Sequence, residues 1–237
     1  MTKKRLASFV YDPALALYLP FDKLDSVSFR STDAYGHLVS RIGAVWTPFG
    51  YKFDGVDDYI TIPDATILRP TSFCIRIWAN LADWTPASFS VVVSKSLTAA
   101  ATSATFICAF TTGGLFRLQV ERITAPAQYP TWDYNVSGFN PNSLHCFEVS
   151  HVRRNYNAGD SLMVIDGKVV STTYTANSHS ASAIEYAAYP IAIGAVRGTS
   201  TTYPLACTVP LFAYYVRARA AQEAMDSYQL ERDYFGV

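Results

Sequence analysis

Apolar and polar side chains alternate along much of the chain with a period of two, as in a strand that buries one of its faces. The clearest run is residues 71–79, where Phe73, Ile75 and Ile77 share one face. The same alternation predicts strands at residues 15–22, 39–42, 45–46, 51–53, 58–62, 88–95, 105–110, 115–121, 144–152, 161–165, 168–173, 190–196 and 206–216.

Short glycine-containing turns separate several of these segments. Residues 54–55 (Asp-Gly) predict a tight turn, because glycine accepts a positive φ and aspartate bonds its own backbone. Alternating runs on both sides of residues 113–114 (Gly-Gly), and again of residues 166–167 (Asp-Gly), predict two β-hairpins. Longer polar or proline-rich stretches predict loops at residues 23–36, 122–143 and 174–189.

Helical spacing occurs at the C-terminal end, in residues 220–234, where Ala221, Ala224 and Tyr228 share a stripe. A series of about a dozen strands followed by one helix predicts an all-β protein: an antiparallel two-sheet β-sandwich with a short C-terminal helix. Because we find neither a repeat nor a linker, residues 14–237 are predicted to form one domain after an N-terminal extension, residues 1–13.

Composition narrows the range of partners. Of the 237 residues, 50% are hydrophobic and 16% are charged, which supports a sizeable core. The formal net charge is zero, so the basic field that non-specific nucleic-acid binding requires is missing. We find no apolar run of the roughly 20 residues that would span a bilayer, and Asp12 and Pro13 interrupt the N-terminal segment too early for a secretory signal. The compartment is left open, with a virion or an extracellular surface favoured over a cytosolic enzyme.

The four cysteines, Cys74, Cys108, Cys146 and Cys207, all fall in apolar strand-like segments and form no Cys-x-x-Cys pair. A metal knuckle is therefore not expected, and the cysteines are predicted to be buried free thiols. Disulfides between cysteines on adjacent strands stay open as an alternative.

Three clustered carboxylates, Asp54, Asp57 and Asp58, are candidate metal ligands. Hard cations such as Ca²⁺ bind several oxygen ligands, which a carboxylate-rich turn supplies. The alternative is that these side chains cap the turn by accepting hydrogen bonds from neighbouring backbone amides.

Aromatic residues in the predicted 122–143 loop are candidate ligand-binding residues: Tyr129, Trp132 and Tyr134, with Asp133 between the last two. Sugar rings pack their C–H faces on aromatic planes, and a carboxylate accepts hydrogen bonds from sugar hydroxyls. The alternative is that these rings hold the loop against the sandwich or lie in a subunit interface.

Catalytic motifs are scarce. We find neither Gly-x-Ser-x-Gly nor His-Glu-x-x-His in the sequence. His145 and His151 fall on the same side of one predicted strand, where we assign them a surface or cross-strand role. No catalytic residue is therefore assigned.

An ordered set of segments resembles the concanavalin A-like lectin/glucanase superfamily, and in particular its laminin-G-like jelly-roll branch. The resemblance covers roughly residues 14–234 and implies a jelly-roll sandwich. The segments that carry it are LYLPFD (17–22), FDGVDDYITIP (53–63), SFCIRIW (72–78), VIDGK (164–168), IAIG (191–194) and FAYYVR (212–217) followed by Glu223.

The resemblance also bears on chemistry. Many relatives bind calcium near the ends of the sandwich, which agrees with a cation at the aspartate cluster. Hydrolytic relatives carry a pattern similar to Glu-x-Asp-x-x-Glu on one strand, and none of the five glutamates of this chain lies in such a motif. The sequence therefore favours a non-catalytic module that recognises a carbohydrate or a surface through loops at the end of the sandwich. The alternative is a structural or decoration protein of a virion or surface assembly that contacts copies of itself or a capsid, and a glycoside hydrolase is the least favoured hypothesis.

Overall fold

The computed structural model describes residues 12–96, 104–120, 130–152, 157–175, 188–197 and 201–237. Tyr129, most of the predicted extension at residues 1–13 and much of the predicted 174–189 loop lie outside the described residues.

The chain forms two antiparallel sheets packed face to face, as predicted. In the larger sheet, nine strands follow the order β15-β11-β10-β9-β8-β16-β6-β3-β2. In the other, which we call the eight-stranded sheet, the order is β14-β13-β12-β7-β19-β5-β4, with β1 also paired to β19. The strands are β1 (Leu15–Pro20), β2 (Ser28–Arg30), β3 (Leu38–Ile42), β4 (Val45–Thr47), β5 (Gly50–Asp54), β6 (Tyr59–Ile62), β7 (Ser72–Asn80), β8 (Ser90–Ser96), β9 (Ala104–Phe110), β10 (Leu115–Val120), β11 (Thr131–Asn135), β12 (Leu144–Val152), β13 (Ser161–Ile165), β14 (Lys168–Val170), β15 (Thr173–Thr175), β16 (Ile191–Ile193), β17 (Val196–Arg197), β18 (Thr201–Thr202) and β19 (Ala206–Tyr215).

The main core lies between the two sheets. Because side chains alternate along a strand, every second side chain points into this core. Examples are Ile75 and Ile77 of β7 and Phe147 of β12, all of which are buried. Aromatic rings fill much of the space: the Phe116 and Phe147 ring centroids, from opposite sheets, are 4.5 Å apart. This contact across the sandwich joins the two sheets through a shared apolar interior.

The α-helix α1 (Ala221–Phe235) packs on the outer face of the eight-stranded sheet. It begins after Ala220, whose N–H donates to the Glu223 carboxylate at 2.8 Å, and it ends at Gly236, which has a φ of 73°. Tyr228 and Phe235 of the helix stack on Trp78 of β7, so the helix covers part of this sheet face.

The hairpin predictions are confirmed. β9 and β10 pair around residues 111–114, and β13 and β14 pair around Asp166 and Gly167. The φ angles of Asp166 and Gly167 are 48° and 71°, the left-handed values that a type I′ turn requires.

Some element predictions were wrong. The predicted 122–143 loop contains β11, and the predicted 23–36 loop contains β2. The strand predicted at residues 168–173 divides: β14 stays in the eight-stranded sheet, while β15 pairs with β11 in the other sheet. These strands are three to five residues long, too short for a clear alternation in the sequence.

The cysteine prediction is confirmed. All four cysteines are free and buried, and burial raises the pKa of the Cys74, Cys108, Cys146 and Cys207 thiols. In the described part of the chain, α1 is both too short and too polar to cross a bilayer.

Candidate functional site

A groove of about 1130 Å³ opens on the outer face of the eight-stranded sheet, beside the C-terminal end of α1. Its floor is formed by outward-facing residues of three strands, among them Lys52 of β5, Asn80 of β7 and Thr208 of β19. Its walls carry Phe49, from the β4–β5 turn, and Tyr234, from the end of the helix. The floor also includes the apolar residues Pro210 and Leu211. Polar and apolar side chains on the floor, with aromatic walls, suit a ligand that has both hydroxyl groups and apolar faces.

The β4–β5 turn holds Phe49 in an exposed position. Phe49 is 80% exposed. Its backbone N–H donates a hydrogen bond to Thr47 Oγ1 at 3.2 Å. Gly50 follows with a φ of 119°, and a Cβ atom there would lie 2.4 Å from the Val209 carbonyl oxygen. Only glycine allows this close approach of β5 to β19, so the turn that presents the ring is firmly attached to the sheet.

Ser143, which lines the groove, begins a hydrogen-bonded chain of three side chains. Ser143 Oγ is 2.7 Å from His145 Nε2, and His145 Nδ1 is 2.6 Å from Asp166 Oδ2. The other oxygen of Asp166 accepts a hydrogen bond from the Cys146 backbone N–H at 2.9 Å. The sequence analysis missed this chain, because Asp166 reaches His145 only through the pairing of β12 with β13.

The other half of the same sheet face is covered by α1 and contains a buried ion network. Arg76 of β7 donates from Nε to Glu148 of β12 at 2.6 Å and from Nη1 to Glu231 of the helix at 2.8 Å. Arg219 adds two bonds to Glu148, at 2.9 and 3.0 Å, and the Trp78 indole N–H donates to Glu231 at 2.6 Å. Both glutamates are therefore engaged by buried cations under the helix, at a distance from solvent.

The structure brings Asp54, Asp57 and Asp58 together, with candidate ligand oxygens within 4.8 Å of one another. Two of these carboxylates also cap the turn: Asp58 Oδ2 accepts from the Asp54 N–H at 2.8 Å, and Asp54 Oδ1 accepts from the Val56 N–H at 2.8 Å. The turn-capping role is thus present, and a calcium ion at the cluster stays a prediction.

Asp58 is the buried member of this cluster. Burial raises the pKa of its carboxyl group, and the neighbouring Asp54 and Asp57 charges act in the same direction. The chain makes room for this carboxylate at Gly43, where a Cβ atom would lie 1.8 Å from Asp58 Oδ1.

The aromatic site predicted around Trp132 is not an exposed loop. Trp132 lies in β11 with 0% exposure, and its indole N–H donates to the Ala158 carbonyl oxygen at 3.0 Å. Asp133 is also buried and forms two 2.8 Å hydrogen bonds with Arg117 on β10, while Tyr134 packs against the core. In this conformation Trp132 has no ring face for a sugar, which favours the alternative that these side chains hold the segment against the sandwich.

Comparison with solved structures finds the same sandwich fold. Trypanosoma rangeli sialidase in complex with sialic acid aligns with a TM-score of 0.65 at 15% identity, over 94% of this chain and 34% of that one. The receptor-binding domain of botulinum neurotoxin mosaic serotype C/D aligns with a TM-score of 0.70 at 11% identity, over 91% of this chain and 50% of that one. The type G receptor-binding domain gives 0.66 at 11% identity, over 92% and 51%.

These likenesses establish the fold and not a shared activity. The chain spans about a third of the sialidase and about half of each toxin domain. No family model matches the chain, and no curated protein sequence matches it.

Proposed function

We propose that this chain is a binding module of the concanavalin A-like, laminin-G-like type, and that it recognises carbohydrate through the groove on the eight-stranded sheet. The observation that carries the proposal is the composition of the groove, in which an exposed aromatic ring lies among apolar residues and hydrogen-bonding side chains. An oligosaccharide presents both surfaces that such a groove needs, namely C–H faces for the ring and hydroxyls for the floor.

The position of each group agrees with this proposal. Phe49 offers a ring face at the groove wall, where a sugar ring can stack. The Lys52 ammonium and the Asn80 amide donate hydrogen bonds, and the amide also accepts them. The binding surface thus lies on sheet residues and the β4–β5 turn, instead of the 122–143 segment that the sequence suggested.

The solved structures of similar fold give independent support. Two of them are described as receptor-binding domains, and a third is a sialidase in complex with sialic acid. Sandwiches of this fold therefore occur in domains described as receptor-binding and in a protein that binds sialic acid. Because the fold hosts unrelated functions, this support is an analogy, and the groove carries the argument.

A glycan array with the native protein and Phe49→Ala tests the proposal. We expect the native chain to bind a defined subset of glycans and Phe49→Ala to lose about tenfold or more in affinity, consistent with a stacking contact of 1–3 kcal/mol. Tyr35→Ala is the matched control, because Tyr35 is also an exposed ring but does not line the groove. Equal binding by all three proteins, or no glycan bound by the native chain, would overturn the proposal.

A second candidate function, a structural protein of a virion or surface assembly, is favoured by one observation. Twelve large apolar residues of the described chain are exposed, and seven of them fall within residues 24–49. These seven belong to or flank β2, β3 and β4, and β2 and β4 each form one edge of their sheet. The seven are Leu24, Val27, Tyr35, Leu38, Ile42, Val45 and Phe49.

Apolar side chains at sheet edges are a common place for contact with another protein, because unpaired edge backbone groups also lie there. Assembly through this edge predicts defined oligomers by light scattering. The double variant Leu38→Lys with Val45→Lys should then return the protein to a monomer. A native chain that stays monomeric at high concentration would exclude this second function.

A further inference from the structure

We propose that Ser143 is an activated nucleophile and that the chain hydrolyses carboxylic esters presented at the groove. The inference goes beyond ligand binding and departs from the non-enzymatic function that the sequence favours. It rests on the hydrogen-bonded contact of Ser143, which lines the groove, with His145, and of His145 with Asp166.

The three side chains are connected in the order that proton transfer requires. The Asp166 carboxylate contacts His145 Nδ1 at 2.6 Å, which favours the tautomer with its proton on that nitrogen. His145 Nε2 then presents a lone pair to the Ser143 hydroxyl at 2.7 Å. A histidine that is oriented by a carboxylate and contacts a serine is the arrangement that activates a serine nucleophile.

Surrounding contacts fix the histidine and the aspartate in place. The Phe139 ring stacks on the His145 ring with centroids 4.1 Å apart, and the Trp84 ring meets it edge-on at 5.1 Å. Asp166 is held at its second oxygen by the Cys146 N–H. These contacts hold the His145 imidazole in one orientation, and the His145 side chain is 16% exposed.

Unusual backbone conformations coincide with this site. Among the described residues, three non-glycine residues have a positive φ: Asn142 at 59°, Asp166 at 48° and Tyr203 at 54°. Asn142 directly precedes Ser143, and Asp166 provides the carboxylate that contacts His145. Asn and Asp adopt left-handed backbone readily in turns, so two turns place Ser143 and the Asp166 carboxylate on either side of His145.

Ester hydrolysis also needs a donor for the oxygen that becomes negatively charged. Asn80 lines the groove and donates one amide hydrogen to the Asn142 carbonyl oxygen at 2.7 Å. An amide nitrogen carries two hydrogens, so the second N–H of Asn80 is the donor we assign to this oxygen.

The reaction proceeds in two balanced steps. Ser143 Oγ attacks the ester carbonyl carbon, its proton moves to His145 Nε2, and the carbon–oxygen bond breaks as the imidazolium returns that proton to the leaving alcohol. Water then attacks the acyl-serine with His145 as base, which releases the carboxylic acid and restores the serine. The net change is ester plus water to acid plus alcohol, and no oxidant or reductant is consumed.

One contact competes with this arrangement. The Asn140 carbonyl oxygen is also within hydrogen-bonding distance of Ser143 Oγ and accepts from it in the structure. If that contact holds the hydroxyl proton permanently, Ser143 only caps the turn at residues 140–143 and has no unusual reactivity. Measuring the reactivity of the serine separates these two roles.

The test uses the full chain with a fluorophosphonate probe and with p-nitrophenyl acetate as a small ester. We expect the probe to label Ser143, as located by peptide mass spectrometry, and the ester to turn over. Ser143→Ala should abolish labelling, and His145→Gln should lower the turnover rate by about 10²-fold, the usual contribution of a general base. Asp166→Asn, which can keep the left-handed turn, should also reduce the rate.

Ser137→Ala is the matched control, because Ser137 is an exposed serine of the same segment that bonds to Asn135 instead of a histidine. It should label and turn over as the native chain does. Native-like thermal melts of the variants exclude unfolding as a cause of lost activity. Absence of probe on Ser143 in the native chain, or turnover unchanged in Ser143→Ala, would overturn the inference.

These outcomes are distinguishable from failure of carbohydrate binding. A native chain that turns over p-nitrophenyl acetate but binds no glycan would overturn carbohydrate recognition alone, and one that binds a glycan but shows neither labelling nor turnover would overturn hydrolysis alone. Loss of turnover in the Ser143, His145 and Asp166 variants, and not in Ser137→Ala, would assign the chemistry to these three side chains.

Discussion

The outer face of the eight-stranded sheet has two halves that use polar side chains in opposite ways. Under α1, Arg76, Glu148 and Glu231 are almost completely buried and Arg76 bonds both glutamates, while Arg76 Nη2 has no hydrogen-bond partner among the described residues. Beyond the end of the helix, Lys52 is exposed and Asn80 is partly so, and both line an open groove. Both halves include residues of β7 and β19, so the helix and not the sheet decides which half is buried.

The difference separates polar groups that stabilise the fold from polar groups that are available to bind a ligand. A buried charge is tolerated when opposite charges and hydrogen bonds surround it, and each group of the covered half has such partners. Removing one partner there should damage the fold. Removing an exposed group of the open half should alter binding and leave the fold nearly intact.

The largest effect is expected for Arg76→Met in the covered half. This change leaves Glu231 and one oxygen of Glu148 buried without their main cation, and we expect a loss of about 3–5 kcal/mol in the free energy of unfolding. Denaturant titration measures it. Arg30→Met is the matched control, because Arg30 is exposed on the edge strand β2, and its effect should stay within about 0.5 kcal/mol. Similar midpoints for the two variants would show that the buried network does not stabilise the fold.

A smaller effect is expected for Gly50→Ala in the open half. The new Cβ would meet the Val209 carbonyl oxygen at 2.4 Å at a φ of 119°, so the turn must shift or β5 must move. We expect about 1–3 kcal/mol of destabilisation from this backbone strain, with weaker glycan binding as the Phe49 ring is displaced. Gly138→Ala has nothing within 4 Å of the new Cβ and should leave both quantities unchanged. Unaltered stability and binding in Gly50→Ala would refute a rigid attachment of this turn.

Adding calcium tests whether the acidic cluster at the edge of the open half, where Asp54 lines the groove, binds a metal ion. The covered half neutralises its carboxylates with guanidinium groups, and we propose that Ca²⁺ does so at Asp54, Asp57 and Asp58. With a dissociation constant of about 1 mM, 10 mM calcium would add about 1.4 kcal/mol and raise the melting temperature by a few degrees. Asp57→Asn should remove that rise, and a melting temperature unaffected by calcium or EDTA would exclude the ion.

The smallest effect concerns Glu223, which caps the helix that covers the buried network. Its hydrogen bonds from Arg217 hold the pKa of the Glu223 carboxyl group at about 2, below the ordinary 4.5. A depressed folded-state pKa contributes stability that is fully present above about pH 4.5 and is lost as the pH falls toward 2. Glu223→Gln should therefore reduce the difference in stability between pH 5 and pH 3, and an unchanged acid response would contradict this assignment.

Local patterns predicted the sheet elements well. The alternation of Phe73, Ile75 and Ile77 gave β7, and the Asp-Gly pair at residues 166–167 gave the β13–β14 hairpin. The helix, predicted at residues 220–234, occupies Ala221–Phe235. Each of these signals lies within a few consecutive residues, where side-chain spacing and turn chemistry act directly.

The candidate sites depended on contacts that the sequence does not encode locally. The sequence predicts Trp132 in a loop because residues 122–143 are rich in proline, whereas pairing of β11 with both β10 and β15 buries its ring. The link from Ser143 to Asp166 needs the register of β12 against β13. No sequence pattern indicated that Phe49 would be exposed, because its exposure follows from the close approach of Gly50 to β19.

Hydrogen–deuterium exchange with and without the best glycan from the array tests the central claim, that the open half of this sheet face is the binding surface. The account predicts slower exchange in residues 47–54 and 206–211 on addition of the glycan, and no change in residues 145–152 beneath and beside the helix. Protection confined to the nine-stranded sheet, or an exchange pattern that no glycan alters, would contradict it.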